Sequence, residues 1–519
     1  MNYPHNIELK IGFDKIRALL ISNCKCELGR FHIEQLCFLD SREVLQELLM
    51  QIHEMKTILV FEKEFPSLSF IHIHNSIHRI RTEGTYLLIN ELFELKKSLL
   101  EINEALAFFK KKKEIYPTLS DLTTNIDIPL KICQAIEKII DANGSLKDNA
   151  SPVLVEIRQA ISARKQSVAR IMNQKISIAR KEGWIDSDAE ITLRNGRLVI
   201  PIISSYKRKM QGLIHDESAT GKTSYLEPSE AFEINNAIAN LEFEEQKEII
   251  KILRDITNFI RPFVNDIELA YTFLGKIDAI NSKALLAIRL SANKPNISSN
   301  QEISLIGAMH PLLQISFEKT EKKVIPLSVK LDEHQRILLI SGPNAGGKSV
   351  CLKSIILLQY MFQCGLLIPA SEQSTLGVFH NIFIDIGDEQ SLENDLSTYS
   401  SHLYNMKHFL NFATNKTLIC IDEFGTGTEP MLGGAIAESV LENLHSLNTF
   451  GVITTHYTNL KHAATSLPNV INGAMLFDVE NMKPLYKLRM GSPGSSFAFE
   501  IAQTIGLPSD VIRNAKEKL

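Results

Sequence analysis

Leu338-Leu339-Ile340-Ser341-Gly342-Pro343-Asn344-Ala345-Gly346-Gly347-Lys348-Ser349 runs from a short apolar segment into a G-x-x-x-x-G-K-S pattern. Glycines at this spacing let the backbone curl so that successive N–H groups point inward at a phosphate. The apolar run before them reads as a strand. A helix starting near Lys348 and running to Gln363 would add partial positive charge at its N-terminus. In such a loop Lys348 reaches the β- and γ-phosphates of a nucleotide and Ser349 holds Mg²⁺. A glycine-rich turn matching by chance would not carry a strand before it and a helix after it. Gly342 to Ser349 are therefore the candidate phosphate site of a bound nucleotide.

The pattern around this loop alternates strands and helices from about residue 300, which predicts an α/β domain with a mainly parallel sheet. Ile303–Ile306 and Val324–Leu327 read as strands before the loop, and 382–390 as a strand segment after it. Thr417-Leu418-Ile419-Cys420-Ile421-Asp422-Glu423 is a buried-type strand ending in two acids, and Gly451-Val452-Ile453-Thr454-Thr455-His456 is one ending in histidine. Ligands sit at such strand ends in open α/β sheets. Asp422 is placed to complete the Mg²⁺ shell through water, and Glu423 to polarise an attacking water, a role a hydrolase needs and a small-molecule kinase does not. His456 is placed to hydrogen-bond the γ-phosphate, and Gln390 to line the same site. Ser397-Thr398 precedes a helix and, by its residues alone, reads as an N-cap.

The rest of the chain sets the frame. A length of 519 residues predicts three or four domains. A net charge of −4 means that any nucleic-acid surface must come from local asymmetry. The first ten residues carry no signal-peptide pattern, and no apolar run is long enough to span a bilayer. The seven cysteines include no C-x-x-C pair, so they read as reduced thiols of a cytoplasmic protein. Residues up to about 150 are helical by period. His72, His74 and His78 lie among apolar residues without ligand partners at metal spacing, and read as packing residues rather than a metal site.

From Val153 a basic helical run leads into short strands at 191–193, 198–203 and 212–215, with Asn195-Gly196 as a hairpin signal. Residues 153–225 hold thirteen Lys/Arg against seven Asp/Glu, with Lys207, Arg208, Lys209 and Lys222 near the strands. The excess fits a polyanion-facing patch and an exposed charged helix pair about equally. Pro228 then opens a long helix, so the strands form the tip of two long arms.

Specific motifs resemble those of the MutS family. Ser341-Gly342-Pro343-Asn344-x-Gly346-Gly347-Lys348-Ser349 is similar to the MutS phosphate loop, with Ser341 for its leading threonine. Asp422-Glu423-Phe424-Gly425-Thr426-Gly427-Thr428, Thr454-Thr455-His456, Leu396-Ser397-Thr398-Tyr399 and the closing segments Gly491–Ala498 and Ile505–Pro508 resemble the family's other motifs. Arg194-Asn195-Gly196-Arg197-Leu198-Val199-Ile200-Pro201, His215-Asp216-Glu217-Ser218 and Leu226-Glu227-Pro228 look like the clamp of the second MutS branch, which lacks a mismatch-reading domain. The resemblance implies a multidomain protein: an all-α core and lever region with a small α+β clamp insert, then an α/β ABC-type P-loop ATPase domain. It implies a helical core over 1–155, the clamp and its flanking helices over 156–230, lever helices over 231–298 and the ATPase over 299–519. It further implies a homodimer closed over ATP and Mg²⁺, with Ser397 reaching the partner's γ-phosphate in trans, in place of the cap. DNA is the implied partner, held by Lys207, Arg208, Lys209, Arg194 and Arg197, in repair or recombination control; the ribosome is the alternative. The chain stops before the branch's nuclease domain, so nuclease activity is not expected of it. A transporter ATPase is disfavoured, because the signature is not Leu-Ser-Gly-Gly-Gln and residues 1–300 carry no coupling surface.

Overall fold

The computed structural model describes residues 2–66, 74–343, 346–387, 398–478, 483–495 and 506–518, together with 499, 502 and 503. His72, Asn344, Ala345, Gln390 and Ser397 lie outside the described residues. The chain divides into two compact units, one of Ser69–Glu104 and Asn125–Tyr271, the other of Met1–Leu68, Ala105–Thr124 and Thr272–Leu519.

The first unit is built on two long helices, Pro152–Lys181 and Ser229–Ile260. The first starts where it does because Ser151 accepts from Leu154 N–H and Pro152 needs no hydrogen-bond partner at the first helical position. Ile157, Ile161, Val168, Met172 and Ile176 recur at helical spacing and share a core with Ile238. Four strands lie between these helices in sequence: β1 (Thr192–Arg194), β2 (Arg197–Ile203), β3 (Gly212–Glu217) and β4 (Thr223–Pro228). They form an antiparallel sheet in the order β1-β2-β4-β3. Pro228 ends β4 and is the N-cap of the long helix, which begins at Ser229 as the proline leads one to expect. β4 carries the fully buried Glu227, and a carboxylate in a core position hides the strand from a reading of apolar alternation.

The second unit holds β5 (Asn296–Ile297), β6 (Ile303–Ala308), β7 (Leu327–Leu331), β8 (Ile337–Ser341), β9 (Thr375–Leu376), β10 (Asn381–Asp385), β11 (Thr417–Ile421), β12 (Phe450–Thr454), β13 (Val470–Asp478) and β14 (Lys483–Met490). A small sheet has the order β5-β9-β6-β7, and a six-stranded sheet the order β10-β11-β12-β8-β13-β14. The larger sheet is parallel except for β14, which pairs antiparallel with β13. Strands β8, β11 and β12 are buried at every residue, as central parallel strands are. The strand expected at Val324–Leu327 begins only at Leu327. Pro326 has no N–H to give a ladder, which favours that later start. No helix among the described residues is long and apolar enough to cross a membrane.

Candidate nucleotide-binding site

Parallel pairing sends the carboxyl ends of β8, β10, β11 and β12 to one edge of the sheet, and the motif residues follow those ends. β8 leads into Gly342 and the loop, and the helix Lys348–Gln363 begins directly after it. Gly347 has φ +88°, and a Cβ there would meet Tyr486 Cδ1 at 2.9 Å, so both backbone and space require glycine. Lys348 is buried, and its ammonium donates to the carbonyls of Gly342 at 2.9 Å and Pro343 at 3.2 Å. Burial lowers the Lys348 pKa, and Glu423 and Asp422 oppose that shift.

Ser349 Oγ donates to Asp422 Oδ1 at 3.1 Å. The same carboxylate oxygen accepts from Thr454 Oγ1 at 2.6 Å, and Thr454 Oγ1 in turn accepts from the Glu423 N–H at 2.7 Å. One hydroxyl at the end of β12 thus fixes both acids at the end of β11. Thr454 is legible in the sequence only as part of the strand end that leads to His456; a hydroxyl closing an otherwise apolar strand beside a phosphate loop is the signal for its role. Glu423 is exposed and holds a left-handed backbone, φ +53°, which is uncommon for a residue with a side chain and clusters at functional sites. Serine hydroxyl and carboxylate facing each other form an oxygen donor set, and hard Mg²⁺ prefers oxygen. The residues fit that ion.

His456 follows β12 by two residues and is half-buried, and its Nε2 has no hydrogen-bond partner among the described residues. Burial lowers its pKa, with Lys348 and Lys461 adding to the effect, so the neutral ring is favoured. Lys461 is a second cation that the sequence reading missed. It lies on the helix Thr458–Ser466 and donates to Gly494 O at 3.1 Å, while Gly494 N donates to Ser341 Oγ at 2.8 Å. A cavity of about 530 Å³ opens beside Gly347, lined by His310, Phe317, Ile325, Val350, Met475 and Tyr486 among others.

The residues of the basic patch lie on and around the four-stranded sheet of the other unit. Arg197 turns inward to the buried Glu227, 3.1 Å away, which also accepts from Asn235 Nδ2 at 2.6 Å and lies 2.7 Å from His215 Nε2. Arg194 pairs with Asp216 and lies over the Tyr225 ring, and Lys207 pairs with Glu217. Arg208, Lys209 and Lys222 are exposed and make no ion pair with the described residues. On the long helices Arg158, Lys165 and Lys175 are met by Glu245, Glu242 and Glu230. Those acids lie beyond the 153–225 window in which the basic excess was counted.

Residues 338–519 match the family described as MutS domain V. Over 98% of its length the chain is 36% identical to a protein named Endonuclease MutS2 from Alkaliphilus oremlandii, covering 64% of that protein. A protein of the same name from Caldanaerobacter subterraneus subsp. tengcongensis is 34% identical over 98% of the chain, with 63% of that protein covered. One from Carboxydothermus hydrogenoformans is 36% identical over 93% of the chain, with 60% covered. The chain therefore spans somewhat less than two thirds of the length of these relatives. With the phosphate-loop motif, the acid pair and this near-complete alignment together, the chain resembles the MutS2 branch of the MutS family over almost its whole length.

Proposed function

We propose that this chain is an ATP-hydrolysing, DNA-binding protein of the MutS type, acting in the cytoplasm on branched or otherwise structured DNA. The observation that carries the ATPase part is the meeting of the Ser349 hydroxyl and the Asp422 carboxylate at the phosphate loop, with Glu423 next along the chain. Lys348 neutralises the β- and γ-phosphates. Ser349 and Asp422 would hold Mg²⁺, which when bound draws charge from the phosphate oxygens. Glu423 polarises the attacking water, and Thr454 keeps both acids in place. His456 hydrogen-bonds the γ-phosphate. The cavity beside Gly347 takes the adenine, against Tyr486, Phe317 and Ile325.

In this reading residues 299–519 are an ABC-type ATPase domain, 1–155 a helical core, 231–298 lever helices and 156–230 the clamp. Two chains close head to tail over ATP, with Ser397 of one subunit serving the other's site. The exposed apolar side chains of Leu403, Tyr404, Met431, Leu432 and Ile436 favour such an interface. The relatives' name denotes an endonuclease; the function proposed here is confined to nucleotide turnover and nucleic-acid binding. The test compares binding of branched DNA, linear duplex and ribosomes, with and without ATP, across a salt series, alongside ATP turnover. Preference for branched DNA supports the proposal. Binding to ribosomes alone would replace DNA as the partner, and absence of turnover would overturn the ATPase assignment.

A further inference from the structure

Asp385 ends β10 and is buried, with 3% exposure. A carboxylate in that place is costly unless its oxygens are hydrogen-bonded. One oxygen lies 2.7 Å from His402 Nδ1 and the other accepts from Asn405 Nδ2 at 2.8 Å. His402 and Asn405 are three apart on the helix Thr398–Phe412, hence on one face. The Asp385 carbonyl accepts from the N–H of Asp422 at 2.9 Å. A single residue thus grips the helix with its side chain and the Mg²⁺-site acid with its backbone.

The grip is completed from the far end of the sequence. Tyr3 pairs with the open edge of β10: its N–H donates to Ile382 O at 3.0 Å, and its carbonyl accepts from Ile384 N at 2.9 Å. Such strand addition fixes register through the backbone. Tyr3 Oη donates to Asn405 Oδ1 at 2.8 Å, and its ring stacks on His408 with centroids 3.9 Å apart. His402, Asn405 and His408 follow one another at a spacing of three, so the strap holds successive turns of one helix face. An apolar contact would hold the helix against the sheet but would leave it free to slide. Directed bonds to one carboxylate fix its position along the axis.

We infer that Asp385 and Tyr3 are positioning residues for ATP turnover, locking the helix Thr398–Phe412 to the strand end that presents Asp422 and Glu423. The inference rests on the ATPase reading above. The hydrogen bonds of Asp385 and Tyr3 described above go to the helix and the strand ends and not to the described residues of the phosphate loop, so the expected change is in kcat and not in nucleotide affinity.

The experiment uses the full chain with Tyr3→Phe, which removes one hydroxyl and keeps the ring, and Asp385→Asn, which keeps the shape and removes the charge. Turnover is measured per nucleotide-binding site, with affinity taken from a fluorescent ATP analogue and melting followed in parallel. Tyr3→Phe should lower kcat about three- to tenfold and Asp385→Asn more, with affinity within about twofold of the unaltered chain. A role confined to stability would lower the melting temperature and leave kcat per site unchanged, and that result overturns the inference. Should Asp385→Asn fail to fold, Tyr3→Phe alone decides. If the unaltered chain turns over ATP and the folded variants match it, this inference alone fails. If the unaltered chain has no turnover, the ATPase reading fails and takes this inference with it.

Discussion

Charge is handled in opposite ways at the phosphate loop and at the β1–β4 sheet. Beside the loop two lysines and a histidine gather, and burial disfavours the charged form of each. That is a costly arrangement, and a polyanion would relieve it. At the sheet Arg194, Arg197 and Lys207 each have a carboxylate within 3.3 Å. Burial thus weighs against charge in one region, and carboxylates answer it in the other. A count of basic residues along the 153–225 window misses part of this, because Glu227 and the acids that meet Arg158, Lys165 and Lys175 lie outside it.

The comparison breaks if the loop lysine proves dispensable. Lys348→Ala should reduce ATP turnover by about 10²–10³-fold or more and sharply weaken nucleotide binding, since a buried charge partner of the phosphates is removed. Turnover near that of the unaltered chain would remove the central assignment. Glu423→Gln should still bind ATP and Mg²⁺ but hydrolyse it about 10²-fold more slowly, and accumulate as an ATP-held dimer. Light scattering that finds only monomers at saturating ATP would count against the two-subunit site.

At the sheet the expected effects separate by residue. Arg197→Ala should cost about 3 kcal/mol of stability in urea unfolding, because Glu227 is left buried without its cation. It should leave the salt dependence of DNA binding almost unchanged. Replacing Arg208, Lys209 and Lys222 with alanine should do the reverse, lowering the log K against log salt slope by about 0.9 for each phosphate no longer neutralised. A slope that follows Arg197 instead would erase the distinction between satisfied and ligand-directed cations.

His310 offers a smaller effect, on the ATPase side. Burial lowers its pKa from the ordinary 6.5 to about 4. The unfolded chain takes up a proton below pH 6.5 where the folded one does not, so stability is complete above 6.5 and declines as pH falls toward 4. Between pH 7 and 5 the loss should be about 2 kcal/mol. His310→Gln should flatten that dependence in urea midpoints, and an unchanged pH profile would place the loss elsewhere.

The parallel sheet was legible because its central strands are short all-apolar runs ending in motif residues, and local pattern suffices there. The long helices were legible from period. β4 was not, since Glu227 occupies a core position that only Arg197, His215 and Asn235 make tolerable. The roles of Thr454 and Lys461 escaped because they lie in what each side chain faces: a threonine ending a strand is ordinary until Asp422 and the Glu423 N–H meet it. Tyr3 was beyond any local reading, since its partner Asn405 lies 402 residues away.

That separation has a consequence for how the molecule is made. Tyr3 leaves the ribosome long before β10 exists. At about 5–20 residues per second, roughly 20–75 s pass before residue 382 is synthesised. Through that interval the first segment has no edge to join, while residues 125–271 are already complete and closed on local contacts. Vectorial synthesis therefore delivers the β1–β4 region first and the six-stranded sheet last, with the chain's opening residues held in waiting. A pause or truncation before residue 381 would leave Tyr3 without the strand edge it pairs with. Contacts this distant in sequence are also the slow ones to form. The strap is among the last pieces of the molecule that can be set in place.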